Sequence, residues 1–347
     1  MNGIIIFLGL VFILHIGRAI FIPLIVAAFI WYLLNAISAY YRKVLPFQKI
    51  NPLKPKTREF VFDILSKLLS LATFGGLVYV FMTQIRPAFA ALAMRLPEIA
   101  ERLRGIQDYI AQSFGIQLNA SILPDAGAIL SSIGSGATQF SAALGMVLVY
   151  IFFMYVEQGT FSKKFAALFP EKRKFGKADF ILRSIDENMK KYMFVKTFAS
   201  ISTALLSYFW LNYLGLEFAG VWAFVIFIMN YIPTFGSIVG VALPIVYSLL
   251  IAPTAELPIM IAIGLITLQI LIGNILEPRL TGKTLNLSTL AILINLVFWG
   301  MLWGPAGMFF SVPLLVATFV ISAQFDSTRW VAVLLSANGE IPEKKDD

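Results

Sequence analysis

The chain of 347 residues is 59% hydrophobic and 13% charged, about half the roughly 25% charge of a soluble domain, and it carries a net charge of +8 and no cysteine. That composition excludes disulfides, thiolate nucleophiles and iron–sulfur clusters, and the lone histidine, His15, excludes an HExxH zinc site or a Cys/His metal cluster. The basic residues sit in blocks beside apolar runs, so the positive charge reads as membrane topology rather than nucleic-acid binding.

Residues 1–41 hold one charge, Arg18, and lack the basic start of a cleavable signal. Apolar runs of about 17–25 residues are long enough to cross a bilayer, and the first two lie at 3–17 and 20–40, with a tight turn at His15, Gly17 and Arg18. A basic block follows at 42–67, then a third run at 62–90, which is long enough to extend beyond the membrane. Residues 91–139 hold three basic and four acidic residues. There Leu92, Leu96, Ile99, Leu103, Ile106, Ile110 and Phe114 form one helical stripe, and Pro97 suits the first turn of that helix. A fourth run covers 139–156. Residues 160–196 carry ten basic and four acidic residues, with a second stripe of Ile181, Ile185, Met189 and Tyr192. Both stripes predict amphipathic helices lying on the membrane or on a sister subunit.

From 197 to 276 there is no Lys or Arg, and the acids are Glu217 and Glu256. Further runs lie at 197–214, 217–232, 236–252 and 256–275, then at 287–303 and 306–323, and residues 284–325 are uncharged. The pairs 217–232 with 236–252, and 287–303 with 306–323, are joined by Gly/Pro-rich links too short for a loop, so each pair also reads as a re-entrant hairpin. The predicted fold is therefore an all-α polytopic integral membrane protein of about eight transmembrane helices, with amphipathic helices outside the bilayer. Its organisation is N-terminal membrane helices (1–90), an external helical segment (91–138), a membrane helix (139–158), a basic cytoplasmic segment (159–196), a C-terminal transport core (197–325) and a tail (326–347). Because Lys and Arg resist translocation, the basic blocks and both termini are expected in the cytoplasm.

Enzyme chemistry finds no footing, and no cofactor is implied. A Ser–His dyad would need His15, and no nucleophile elbow accompanies it. Gly282-Lys283-Thr284 resembles the end of a phosphate-binding loop, but the glycine required five residues before Gly282 is Glu277. The informative residues are polar ones beside helix breaks. Asn230, Tyr231, Pro233, Gly236, Gln269, Asn274 and Asn295 are candidates to line a pathway, because amides and freed carbonyls at a break can hydrogen-bond a small polar solute. Taken singly, each also fits interhelical packing. Gly282, Gly304, Gly307 and Pro313 are candidate hinges, and Asn286 and Ser288 stand at the entrance of the ninth run. The segment from Asn230 to Pro244 and the segment from Asn295 to Pro313 break similarly, which points to paired discontinuous helices around a transport site. Glu277-Pro278-Arg279 stands alone between uncharged segments. Glu277 reads either as a proton relay or as an interface ion pair with Arg279, with Pro278 forcing an extended turn between them.

Five stretches carry a resemblance: Asn230-Tyr-Ile-Pro-Thr-Phe-Gly-Ser237, Gly273-Asn-Ile-Leu-Glu-Pro-Arg-Leu-Thr-Gly282, Leu285-Asn-Leu-Ser-Thr-Leu290, Phe298-Trp-Gly-Met-Leu-Trp-Gly-Pro-Ala-Gly307 and Ser311-Val-Pro-Leu314. In these the chain resembles the autoinducer-2 exporter family of bacterial membrane proteins, almost continuously over 190–322. Thr289, where many members have proline, is similar to the subgroup containing the autoinducer-2 exporter itself. The resemblance implies an inner-membrane homo-oligomer, a pentamer, that exports a small, neutral, polyhydroxylated signal. Other branches imply sodium/proton antiport, and a non-transporting membrane scaffold is a third reading. The partners expected are a small polar solute, the lipid bilayer and further copies of the chain, with no nucleic acid.

Overall fold

The computed structural model describes residues 2–45, 55–114, 126–168, 171–281 and 286–341, and these are almost wholly helical. Helices α1 (Asn2–Ile16) and α2 (Arg18–Val44) turn at Gly17, whose N–H bonds the Ile13 carbonyl at 2.8 Å. Helix α2 packs with α3 (Pro55–Phe114) and α4 (Ala126–Leu168) around Ala27, Leu34, Val147 and Ile151. Small hydroxyls join them: Ser38 donates to Ser66 at 2.9 Å, and Tyr41 meets Thr73 at 2.6 Å. Such short side chains let helices approach closely where lipid offers no hydrophobic drive. At the basic end Asp63 pairs with Arg42 and, at 2.9 Å, with Lys67.

Helix α3 is one rod of 60 residues, roughly 90 Å long at 1.5 Å per residue and far longer than a bilayer core of about 30 Å. Pro97 therefore lies inside a helix, as does Pro87, and not in a first turn. The reason is docking. Leu92 and Ile99 pack on the core of Leu211, Leu216, Trp222, Ile226 and Tyr247 at the far end of the molecule. Arg102 donates to the Leu250 carbonyl at 2.8 Å. These contacts offset the bonds the prolines forgo.

Helix α5 (Lys172–Tyr213) is likewise continuous through its basic and apolar parts. Its stripe of Ile181, Ile185, Met189 and Tyr192 packs inside the subunit, against Val312, Val316, Val320, Phe29, Tyr32 and Leu33. The partner is thus neither lipid nor a sister subunit. Val312, Val316 and Val320 recur every four residues and present a matching ridge.

Helices α6 (Ala219–Met229) and α7 (Phe235–Ile251) form a hairpin. At 11 and 17 residues they span roughly 17 and 26 Å, each short of the bilayer core. Helix α8 (Glu256–Gln269) continues as a π-helical segment, Ile270–Leu276, into the short α9 (Glu277–Thr281). Helix α10 (Thr289–Ala323) breaks at Gly304, with φ 63° and ψ −145°. The Asn295 amide donates to the Ser311 carbonyl at 2.6 Å although 16 positions separate them. In a straight helix that spacing would be roughly 24 Å. Limbs 289–303 and 305–323 therefore fold back on each other as a second hairpin, and both expected hairpins are present. Their necks match. A Cβ on Gly236 would strike the Met229 carbonyl oxygen, and one on Gly307 would strike that of Trp299.

Among the described residues, six helices contain stretches long and apolar enough to cross a membrane, at 18–44, 57–80, 143–160, 175–213, 256–280 and 289–323. The tail forms α11 (Arg329–Leu335), seated by Ala332 and Leu335 against Phe319, Ala323 and Leu287.

Candidate solute cavity

The run from 197 to 276, which holds no Lys or Arg, is flanked by two charges that the fold brings together. Lys196 Nζ donates to Glu277 Oε1 at 2.7 Å, with side-chain exposures of 9% and 26%. The pair ties the middle of α5 to the start of α9. A buried charge persists only when paired, so each partner makes the other's burial tolerable. Arg279 is exposed on α9. Residues two apart on a helix do not face each other, which explains why Glu277 reaches across to α5. Pro278 makes no extended turn; it lies within α9, directly after the π segment, where its missing N–H leaves a helical carbonyl free.

This pair borders a cavity of about 620 Å³, a size that suits a small molecule. Tyr192 and Lys196 of α5, Pro233 at the tip of the first hairpin, and Gly273, Glu277 and Pro278 of the π segment and α9 form one side. Asn286, Leu287, Thr289, Ile292 and Val312 of the second hairpin form the other, and Asn338 and Glu340 of the tail complete it. The cavity lies at the tip of one hairpin and at the base of the other.

Above the cavity lies a polar cluster. Asn230 is buried and its side-chain oxygen accepts from Gln269 Nε2 at 3.3 Å. Tyr231 is buried, donates to Thr197 Oγ1 at 2.9 Å and stacks on Phe309 with centroids 4.7 Å apart. Gln269 Oε1 is buried with no hydrogen-bond partner among the described residues. The π segment beside it shifts the i→i−4 ladder, a distortion frequent at functional sites. Asn274 is exposed on that segment. Asn295 is half-buried and bridges the limbs of the second hairpin, also accepting from Trp299 at 3.1 Å. The geometry thus gathers Asn230, Tyr231 and Gln269 in one cluster, sets Pro233 and Glu277 on the cavity, and holds Asn274 and Asn295 elsewhere. Gly236 and Gly307 make the hairpin necks, Gly304 the second turn, and Pro313 follows in the last limb. Gly282 lies outside the described residues.

Sequence reasoning missed Lys196, and Asn338 and Glu340 with it. The first had a signal: Lys196 and Arg279 bound the longest run without a basic residue, and Glu277 lies at its far end. The tail had none. Its hold on the cavity depends on main-chain pairing. Leu287 and Ser336 form an antiparallel bridge, Ser288 N–H donates to the Leu335 carbonyl at 2.8 Å, and Ala337 N–H to the Asn286 carbonyl at 2.9 Å. The Asn286 amide adds bonds to Asn338 Oδ1 at 2.6 Å and to the Glu340 carbonyl at 2.9 Å.

Long apolar helices, two glycine-necked hairpins and a cavity of small-molecule size between them are the architecture of a helical multi-pass membrane transporter. Residues 4–326 match the profile of the AI-2E family transporters, and the chain belongs to that family. The AI-2 transport protein TqsA of Escherichia coli K12 is 31% identical over 353 residues, covering 97% of this chain and 96% of that one. A Haemophilus influenzae protein described as a candidate transport protein is 31% identical over 215 residues, 61% of this chain and 62% of its own. The E. coli protein YhhT, described in the same way, is 33% identical over 180 residues, 52% of this chain and 50% of its own.

Proposed function

We propose that this protein exports autoinducer-2, a small neutral polar signal, across the bacterial inner membrane. The observation that carries this reading is the charge balance of the cavity's inner wall. Lys196 pairs with Glu277 there, so that wall offers hydrogen-bonding groups with its two charges matched, and the other lining carboxylate, Glu340, is exposed on the tail. Similarity to the AI-2 transport protein TqsA along almost the whole of both chains supports the choice of solute. On this reading the solute enters between the hairpins, Asn230, Tyr231 and Gln269 line the route beyond the cavity, and the glycine necks allow one hairpin to shift against its surroundings. The basic ends of α2 and α5 support a cytoplasmic position for both termini, and on this reading the protein works as a homo-oligomer, a pentamer. Efflux of autoinducer-2 from proteoliposomes, with and without a sodium or proton gradient, tests the function. No efflux beyond that of empty vesicles refutes it. A reporter after residue 50 or 175 is expected to read cytoplasmic, and one near 120 external; an external reading at 175 overturns the orientation.

A second reading, monovalent cation/proton antiport, is favoured by one feature, the carboxylate of Glu277 at the cavity wall. It predicts sodium movement driven by a pH gradient in the same vesicles, lost in Glu277→Gln.

A further inference from the structure

The C-terminal segment after α11 contributes side chains to the cavity although no membrane helix requires it there. Asn338 and Glu340 line the cavity from the tail. Both sit beside Asn286, which opens the second hairpin and has φ +21°, a conformation disfavoured for a side-chain-bearing residue. Two main-chain bonds and the Asn286 amide hold the segment across the base of that hairpin. The flanking anchors are apolar, with Ala332, Leu335 and Ile341 against Phe319, Ala323 and Leu287. The fastening is thus short, two-stranded and exposed at Ala337, Asn338 and Gly339. An isolated two-stranded pairing of this length is marginal in water, so this closure can open without unfolding either hairpin.

We propose that residues 336–341 form a detachable strap over the cavity: in the closed state described here it completes the wall with Asn338, and it must release residues 286–288 for solute to pass. The proposal rests on the transport reading of the cavity. Its substance is that pairing of Leu287 with Ser336 and passage of solute are mutually exclusive.

The chain has no cysteine, so an engineered pair reports without background. Facing residues of an antiparallel bridge have Cα atoms about 4.5–5.5 Å apart, within the range of a disulfide. In full-length protein carrying Leu287→Cys and Ser336→Cys, oxidation is expected to stop autoinducer-2 efflux from proteoliposomes and reduction to restore it, while efflux by each single cysteine variant responds to neither treatment. A second arm needs no solute. Val312 is buried on the cavity wall, and Val312→Cys gives a maleimide-reactive probe there. Ala337→Pro removes the N–H that bonds Asn286. Adding it is expected to speed labelling of Val312→Cys by about three- to tenfold, the shift from losing one such bond. Undiminished efflux with the disulfide verified, or labelling unchanged by Ala337→Pro, overturns the strap. Absence of efflux in wild-type vesicles overturns the proposed function instead, and the labelling arm still decides the strap.

Discussion

The two hairpins share a construction and differ in where they turn. Each has a glycine pressed on a carbonyl oxygen of the opposite limb, Gly236 on Met229 and Gly307 on Trp299. The first turns at Pro233 and Thr234, and its tip borders the cavity beside the Lys196–Glu277 pair. The second turns at Gly304, and its tip lies far from the cavity, where the Trp303 indole donates to the Leu14 carbonyl at 3.0 Å. One hairpin thus offers its turn to the cavity and the other its base. They enter the bundle from opposite ends. The neck is the common requirement, and the turn is where they have diverged.

The largest expected effect comes from the charged pair beside the first tip. Lys196→Met strands Glu277 against the cavity and is expected to cost about 3 kcal/mol, with part recovered in the double variant Lys196→Met, Glu277→Gln. Thermal unfolding in detergent measures both, and purely additive losses would show that the pair does not support the tip. Next come the necks. Gly236→Ala and Gly307→Ala each force a methyl onto a carbonyl and are expected to cost about 1–3 kcal/mol and to impair transport alike. A loss confined to one of them would break the equivalence of the hairpins. The turns sharpen the contrast. Gly304→Ala is expected to cost about 1–2 kcal/mol, because φ 63° there suits glycine. Thr234→Gly, at φ 55°, is expected to stabilise by up to about 1 kcal/mol. Equal signs in the two unfolding measurements would contradict this account. The smallest effect is expected for exposed Arg279→Ala, within about 0.5 kcal/mol.

Much of this was legible in the letters. Runs of apolar residues longer than a bilayer requires mark the long helices, and the Gly/Pro links at 233–236 and 304–307 mark both hairpins. Helix continuity was not legible. Pro97 reads locally as a first turn, and only the docking of Leu92 and Ile99 on a core formed 110 and more residues later keeps the rod intact. The stripe on α5 announces a buried face but not its partner, because a ridge of valines and a lipid tail satisfy the same pattern. Glu277 stands out in the sequence as a charge between long apolar segments. Its partner lies 81 positions away, a distance over which local spacing carries no information. The polar candidates divide by long-range geometry too: Asn230 and Asn295 read alike, yet one sits in the cluster with Gln269 and the other bonds the facing limb of its own hairpin.

The rod of α3 has a mechanical consequence. It begins at the basic end, where Asp63 ties it to α2, and ends on the far side gripping the root of the first hairpin through Arg95 to Glu217 at 3.2 Å and Arg102 to the Leu250 carbonyl. An unbroken helix is stiff, so displacement of that hairpin either carries the rod with it or slides along its surface. The Arg95–Glu217 contact is half-exposed and such pairs contribute about 0–1 kcal/mol, comparable to thermal energy and weakened by salt. The grip therefore behaves as a slip joint: Leu92 and Ile99 keep the two surfaces together while the ion pair sets the friction between them, and that friction falls as ionic strength outside the membrane rises.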